Sequence, residues 1–211
     1  MKIKLITFFF TVVMLCAFST ATMALTIPYN GEEVYITHAG YPGNVGGGIF
    51  MVQSDPGHNN LFETFCTELG VVLQYPPYIV ELGTSSLPSG IPLTPQEAYL
   101  YYSFRAGTLP FYVNNNTDAD ALQFAFWILE GQIKGVPSPD VPLFGAQTDA
   151  YLAFANSTTW TTTGDVGVMN LINTQGQYTQ AMLALVPEPL TILLLGFGLL
   201  GLGITRRKLK K

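Results

Sequence analysis

The first half of the chain alternates short apolar runs with turn residues. The runs EEVYITH, IFMVQ, LFETFCTEL and VVLQYPPYIVEL are separated by clusters rich in Gly, Pro and Asn, such as YPGNVGGG and SDPGHNN. Apolar runs of this length between turn residues are typical of β-strands joined by tight connections. The pattern therefore predicts a β-rich N-terminal part.

The middle of the chain has the spacing of helices. Residues 94–97, TPQE, have the order of a helix start, with a Thr cap, Pro at the first helical position and Glu three residues after the cap. This helix is predicted to end near Gly107. A second helix is predicted to begin around residues 117–118 and to end at Gly131, and a third to cover GAQTDAYLAFAN.

The second predicted helix is apolar around its whole circumference. Between Ala121 and Leu129, Gln123 is the only polar residue. A helix without a polar face is buried on most of its sides. Gln123 is therefore predicted to lie inside the protein.

Two more strands, in VGVMNLI and YTQAMLALV, follow the helices. Strands, then helices, then strands predict an α+β fold, with a β-rich sandwich or barrel-like part and an inserted helical part. Residues 25–185, about 160 positions, are enough for one domain with its own core. A different kind of segment flanks this domain on each side.

Residues 1–24 have the anatomy of a secretory signal peptide. Lys2 and Lys4 precede the apolar stretch LITFFFTVVMLCAF, and small residues lead to a predicted cleavage after Ala24. The chain has 2 cysteines, and Cys16 lies in the stretch that would be removed. Cys66 would then be the lone thiol of an exported protein.

Residues 186–211 contain an apolar segment and a basic tail. Residues 190–205 carry no charge and are followed by RRKLKK. As a helix this segment would be about 24 Å long, at the short end of what spans a bilayer. The basic tail would stay in the cytoplasm. The segment predicts either a permanent transmembrane anchor or a removable sorting signal.

Pro187, Glu188 and Pro189, the apolar segment, and Arg206 with Arg207 together resemble the PEP-CTERM sorting signal of Gram-negative bacteria. The resemblance implies an exosortase as processing partner, with cleavage near the Pro-Glu-Pro element. It implies that the transmembrane helix anchors the protein only transiently. The product would then reach the outer surface, the exopolysaccharide matrix or the medium.

Charge limits the function classes open to the exported part. All 14 acidic residues lie between Glu32 and Glu188, where the basic residues are Arg105 and Lys134. A surface this acidic repels nucleic-acid phosphates, so no DNA or RNA partner is expected. The acidic residues are scattered and form no calcium-type loop, so neither a metal nor a cofactor is predicted.

Three hypotheses explain the lone Cys66. The first is a small core residue, because free cysteine is often buried. The second is the nucleophile of a cysteine hydrolase, which needs His38 or His58 as its base. The third is an internal thioester, in which the thiol displaces ammonia from Gln123 and leaves an activated acyl group that an amine can attack.

Residues 65–69, FCTEL, and residues 122–127, LQFAFW, resemble the two motifs of the internal thioester domain of bacterial surface adhesins. The resemblance implies a bond between Cys66 and Gln123, in a domain that combines a β-rich part with a helical part. It implies an adhesin-like surface or matrix protein that bonds covalently to amines and is not an enzyme. Trp127 would either fill the core or shield the acyl group. The alternative is a noncovalent matrix protein of the same fold, in which no thioester forms.

Overall fold

The computed structural model describes the central part of the chain. The described residues are 28–39, 47–56, 59–87, 89–133 and 145–186. The predicted signal peptide with its cleavage after Ala24, and the predicted sorting signal from Pro187 onward, lie outside them. Within these ranges no helix is both long enough and apolar enough to cross a membrane.

Among the described residues, six antiparallel strands form one sheet. The strands are β1 (Glu33–His38), β2 (Phe50–Gln53), β3 (Asn60–Thr64), β4 (Tyr78–Gly83), β5 (Val166–Ile172) and β6 (Tyr178–Leu185). Their order across the sheet is β3-β2-β1-β4-β5-β6. The β1–β2, β2–β3 and β5–β6 pairs join strands that are close in sequence, whereas β1 pairs with β4 across β2 and β3, and β4 pairs with β5 across the helical part.

Two strands are shorter than their sequence patterns. The run VVLQYPPYIVEL reads as one strand, but β4 begins only at Tyr78. Pro76 and Pro77 precede it, and proline cannot donate a hydrogen bond to a neighbouring strand. The run LFETFCTEL also reads as one strand, but β3 ends at Thr64.

The chain changes its pairing partner directly after β3. Thr64 still pairs with β2, whereas Cys66 forms a bridge with Met182 of β6. The next residue strengthens this new pairing, because the Thr67 N–H donates to the Ala181 carbonyl at 2.9 Å. The two edge strands of the sheet are therefore joined by the segment that contains Cys66.

In the described part of the connection between β4 and β5 there are three helices: α1 (Pro95–Arg105), α2 (Asn116–Leu129) and α3 (Gly145–Asn156). The predicted capping box of α1 is present, since Glu97 N donates to Thr94 Oγ1 at 3.2 Å and Thr94 N donates to Glu97 Oε2 at 2.8 Å. α2 begins slightly earlier than predicted, because the Asn115 side chain accepts from Asp118 N at 2.9 Å and caps it. The fold is α+β with a β-rich character, as the sequence predicts.

Both faces of the segment around Cys66 are buried. Phe65 belongs to a core cluster shared with α2, together with Leu122 and Phe126. Cys66 belongs to a second cluster, made of alternate residues of the strands together with Trp127. The alternating pattern of FETFCTELG does not predict which of its two faces is buried. In the structure both faces are buried around Cys66.

Two acidic side chains interact between the start of α1 and the end of α2. Glu97 is fully buried, and Glu130 is partly buried. Loss of hydration, and then the nearby Glu97, raise the pKa of Glu130 to about 10, and burial raises the pKa of Glu97 as well. The pair therefore shares at least one proton at neutral pH.

Glu130→Gln is expected to make the free energy of unfolding less dependent on pH. In the folded protein the pKa of Glu130 lies above its ordinary value of 4.5. The stabilising contribution of Glu130 is therefore complete at pH values below 4.5 and is lost as the pH rises through about 10. A glutamine at this position still accepts the hydrogen bond from Gln132. Because it is uncharged, it can lie next to Glu97 without taking up a proton. Urea unfolding should show an advantage of the variant that grows with pH. Asp149→Asn removes an exposed charge as a control, and equal pH slopes for Glu130→Gln and wild type would contradict the account.

Candidate functional site

Cys66 and Gln123 lie in direct contact although they are 57 positions apart in the chain. Gln123 is fully buried on α2. Its side chain extends towards Cys66, just beyond the end of β3, where the chain no longer pairs with β2. Its Oε1 lies 3.3 Å from Cys66 Sγ. The structure thus brings together the two side chains that the thioester hypothesis requires.

Two hydrogen bonds fix the orientation of the Gln123 carboxamide. The Cys66 N–H donates to Gln123 Oε1 at 3.2 Å, and Gln123 Nε2 donates to the Cys66 carbonyl at 2.8 Å. A backbone N–H only donates and a backbone carbonyl only accepts, so these partners determine which end of the amide is oxygen. The amide carbonyl therefore faces the sulfur and is polarised by a backbone donor.

The Cys66 thiol is protonated at neutral pH. Burial, followed by the charge of Glu130, raises the pKa of Cys66 to about 12. The charge of Glu68 adds to this effect, whereas the Cys66 backbone and the Trp127 indole oppose it. The group that faces Gln123 at rest is therefore S–H, which can donate to Oε1.

Gln132 holds the segment that follows Cys66, a role that the sequence analysis missed. Its Oε1 accepts from the Leu69 N–H at 2.6 Å, and its Nε2 donates to the Thr67 carbonyl and to the Glu130 side chain. Gln132 lies just beyond the end of α2. The helix that carries Gln123 is therefore tied to the chain on the C-terminal side of Cys66 as well.

Gly47 allows close approach of the backbone to Gln123 and Trp127. A Cβ at this position would lie 2.7 Å from Gln123 Cγ and 2.8 Å from Trp127 Cη2. Trp127 lies one helical turn after Gln123 and is only 3 % exposed. Its position is compatible with both predicted roles, core packing and shielding of the carboxamide.

A cleft of about 400 Å³ lies beside Cys66. Its walls are mainly apolar and include Phe50, Leu73 and Trp127, while its polar lining includes Glu68 and Gln180. Cys66 itself lines the cleft, so a small molecule bound there lies beside this residue. The cleft is therefore the route by which a reagent would approach the Cys66–Gln123 contact.

His38, the histidine within the described residues, does not form a catalytic pair with Cys66. His38 lines the cleft and stacks on Phe50, with 5.2 Å between the ring centroids. The hydrogen bond of the Cys66 side chain goes to Gln123 instead. His58 lies outside the described residues. Among those residues, no group of His, Cys, Asp and Glu is arranged to hold a metal ion.

Comparison with known proteins identifies the C-terminal segment. Residues 185–208 match the PEP-CTERM protein-sorting motif, and all five predicted sorting residues lie inside this match. Signals of this kind are processed by exosortase at the membrane, so the chain is an exported protein with a cell-surface or extracellular destination. No curated protein and no solved structure matches the chain.

Gly47→Ala is expected to destabilise the fold and to displace Gln123. The added methyl group meets two side chains below 3.0 Å, and overpacking of a core costs about 1–3 kcal/mol. Gly145→Ala is the matched control, because a Cβ there has nothing within 4 Å. Chemical denaturation of both variants measures the difference. If Gly47→Ala is as stable as Gly145→Ala, the close packing around Gln123 is not as described.

Proposed function

We propose that Cys66 and Gln123 form an internal thioester, and that the protein uses it to attach covalently to amines on a surface or matrix partner. The observation that carries this proposal is the 3.3 Å contact between Cys66 Sγ and Gln123 Oε1 inside the protein. A thiol and a carboxamide are the two groups from which this bond is made. The resemblance of FCTEL and LQFAFW to the motifs of thioester domains supports the same assignment.

Formation of the bond needs no outside reagent. The sulfur attacks Gln123 Cδ, the S–H proton passes to Nε2, the C–N bond breaks and one ammonia leaves. Negative charge develops on Oε1 during the attack, and the Cys66 N–H already donates to this oxygen. The same backbone donor that orients the amide would therefore lower the barrier to its reaction.

The surroundings favour survival of the thioester once it has formed. Cys66 is 4 % exposed and Gln123 is fully buried. Apolar walls with Trp127 beside the carboxamide restrict the access of water, and exclusion of water slows hydrolysis of a reactive acyl group. The cleft beside Cys66 offers an approach for a nucleophile.

Export gives this chemistry a use. The sorting motif directs the protein to the cell surface or beyond. The amines that it meets there are carried by other molecules. We propose an adhesin-like protein that reacts once, with an amine-bearing molecule of a surface, an extracellular matrix or a neighbouring cell. Because each molecule is consumed by its own reaction, it would not be an enzyme.

A noncovalent matrix protein is the second candidate. Both ends of the Gln123 amide are hydrogen-bonded to the Cys66 backbone, so the pair would stabilise the fold even without a bond. A cysteine hydrolase is disfavoured, because that chemistry needs a thiolate and burial raises the pKa of Cys66.

The intact mass of the mature exported protein tests the thioester. The wild type is expected to be lighter than its sequence by one ammonia, because Gln123 loses its amide nitrogen when the bond forms. Cys66→Ser and Gln123→Ala are expected to have their full sequence mass. A wild type at full mass, with one titratable thiol in the denatured state, would refute the proposal.

Methylamine distinguishes the two candidates by reactivity. A thioester is expected to take up one methylamine at Gln123 and to release the Cys66 thiol at the same rate. A merely packed pair has no activated acyl group, so its mass should stay constant. Peptide mapping after labelling locates the added group, and a label at any other residue would count against the assigned bond.

A further inference from the structure

One buried carboxyl group beside Cys66 has a free oxygen. Glu68 is 2 % exposed and lines the cleft. Its Oε2 accepts from the Ala181 N–H at 3.3 Å, but its Oε1 has no hydrogen-bond partner in the described part of the chain. A buried carboxylate without a partner is unfavourable. A ligand that brings a positive charge into the cleft would remove this cost.

No described Lys or Arg supplies that charge, and the His38 ring, which also lines the cleft, stacks on Phe50. Arg105 is the only Lys or Arg within the described ranges. Its guanidinium donates to Tyr101 Oη at 3.1 Å and lies over the Phe62 ring. Within the described ranges, therefore, no Lys or Arg neutralises Glu68, and a bound cation would do so.

The remaining walls of the cleft suit an apolar stem. Phe50, Leu73 and Trp127 offer apolar surface along the approach to the sulfur. Gln180 Nε2 donates to the Glu68 backbone carbonyl at 2.8 Å, and Gln180 Oε1 is a second buried acceptor without a hydrogen-bond partner in the described part of the chain. A sugar hydroxyl would leave Glu68 without a counter-charge, whereas a primary ammonium on an alkyl chain would match both the carboxylate and the walls.

We propose that the cleft selects a lysine-like alkylammonium, and that Glu68 receives the ammonium group and takes one proton from it. This inference rests on the proposed thioester function and names the substrate class and the base of the same site. Glu68 and Cys66 line the same cleft, which places the base beside the residue that carries the reacting sulfur.

The protons and electrons of the step balance. Glu68 takes one proton from the ammonium, and the free amine nitrogen attacks the acyl carbon of Gln123. The C–S bond breaks as the new C–N bond forms, and the proton held by Glu68 passes to the departing Cys66 sulfur. A second proton leaves the new amide nitrogen for water. The products are an amide, a free thiol, the original carboxylate and one proton.

The composition of the chain agrees with a lysine-like substrate. Between residues 25 and 186, Lys134 is the only lysine. A reactive acyl group that accepts lysine would otherwise join copies of the protein to one another. The scarcity of lysine in the exported part lowers the number of competing amines on neighbouring copies.

Two nucleophiles of different charge test the role of Glu68. Methylamine is a cation at neutral pH, whereas hydroxylamine is largely neutral. In the mature protein, Glu68→Gln is expected to keep the ammonia deficit. Its rate of reaction with methylamine is expected to fall to about one tenth of the wild-type rate or below. Its reaction with hydroxylamine should change little. Glu33→Gln, which removes an exposed charge on β1, should match the wild type with both reagents.

A noncovalent measurement tests the ammonium site without the thioester. In Cys66→Ser, propylammonium is expected to shift the NMR signal of the Trp127 indole N–H, because this ring lines the cleft. Neutral 1-propanol should produce a much smaller shift. The response to propylammonium should be lost when Glu68→Gln is added.

Each result supports or overturns one of the two claims. Equal methylamine rates for wild type and Glu68→Gln would overturn the role of Glu68. If His38→Gln reacts more slowly with methylamine and Glu68→Gln does not, the base is His38, and the role of Glu68 is overturned. A missing ammonia deficit would refute the thioester, while absence of the propylammonium response would refute the cation site independently.

Discussion

The Gln123 carboxamide takes the place of a neighbouring strand for Cys66. In an antiparallel sheet, successive residues direct their backbone groups to opposite sides. Thr67 directs its N–H to β6, so Cys66 directs its own N–H and carbonyl the other way, where β2 no longer pairs with the chain. Buried backbone groups need partners, and the side chain of Gln123 supplies both.

This constraint explains why the reactive groups lie where they do. A side chain that satisfies a backbone N–H and a carbonyl of the same residue must approach that residue closely, and the thiol of Cys66 is carried on the same Cα. Other contacts then hold the arrangement in place. Gly47 leaves room for the side chain, and Gln132 ties the end of α2 to the segment after Cys66.

The acidic surroundings govern how the pair can react. Burial and nearby carboxyl groups keep the thiol protonated, which suits an attack in which the same group provides the sulfur and the proton. Such a thiol is a poor resting nucleophile towards external substrates. The environment therefore favours an internal reaction with Gln123, and an incoming cation in the cleft beside Glu68 would complement its charge.

Local signals were predictable from the sequence, and long-range ones were not. The capping box of α1 depends on residues 94–97 alone, and the burial of Gln123 follows from the apolar circumference of α2. The contact with Cys66 depends on how the sheet closes, so periodicity could not predict it; the chemistry of a lone exported thiol and a buried glutamine suggested it, and the family resemblance pointed to the same pair. The roles of Gly47 and Gln132 arise from tertiary packing, and neither residue belongs to a local pattern.

Electron density between two atoms tests the central claim most directly. A high-resolution crystal structure of the mature protein is predicted to show continuous density from Cys66 Sγ to Gln123 Cδ, with no atom at the Nε2 position. The Cys66 carbonyl would then have lost its donor from Gln123. Separate side chains, with Nε2 still donating to that carbonyl in fresh, unreacted protein, would contradict the account.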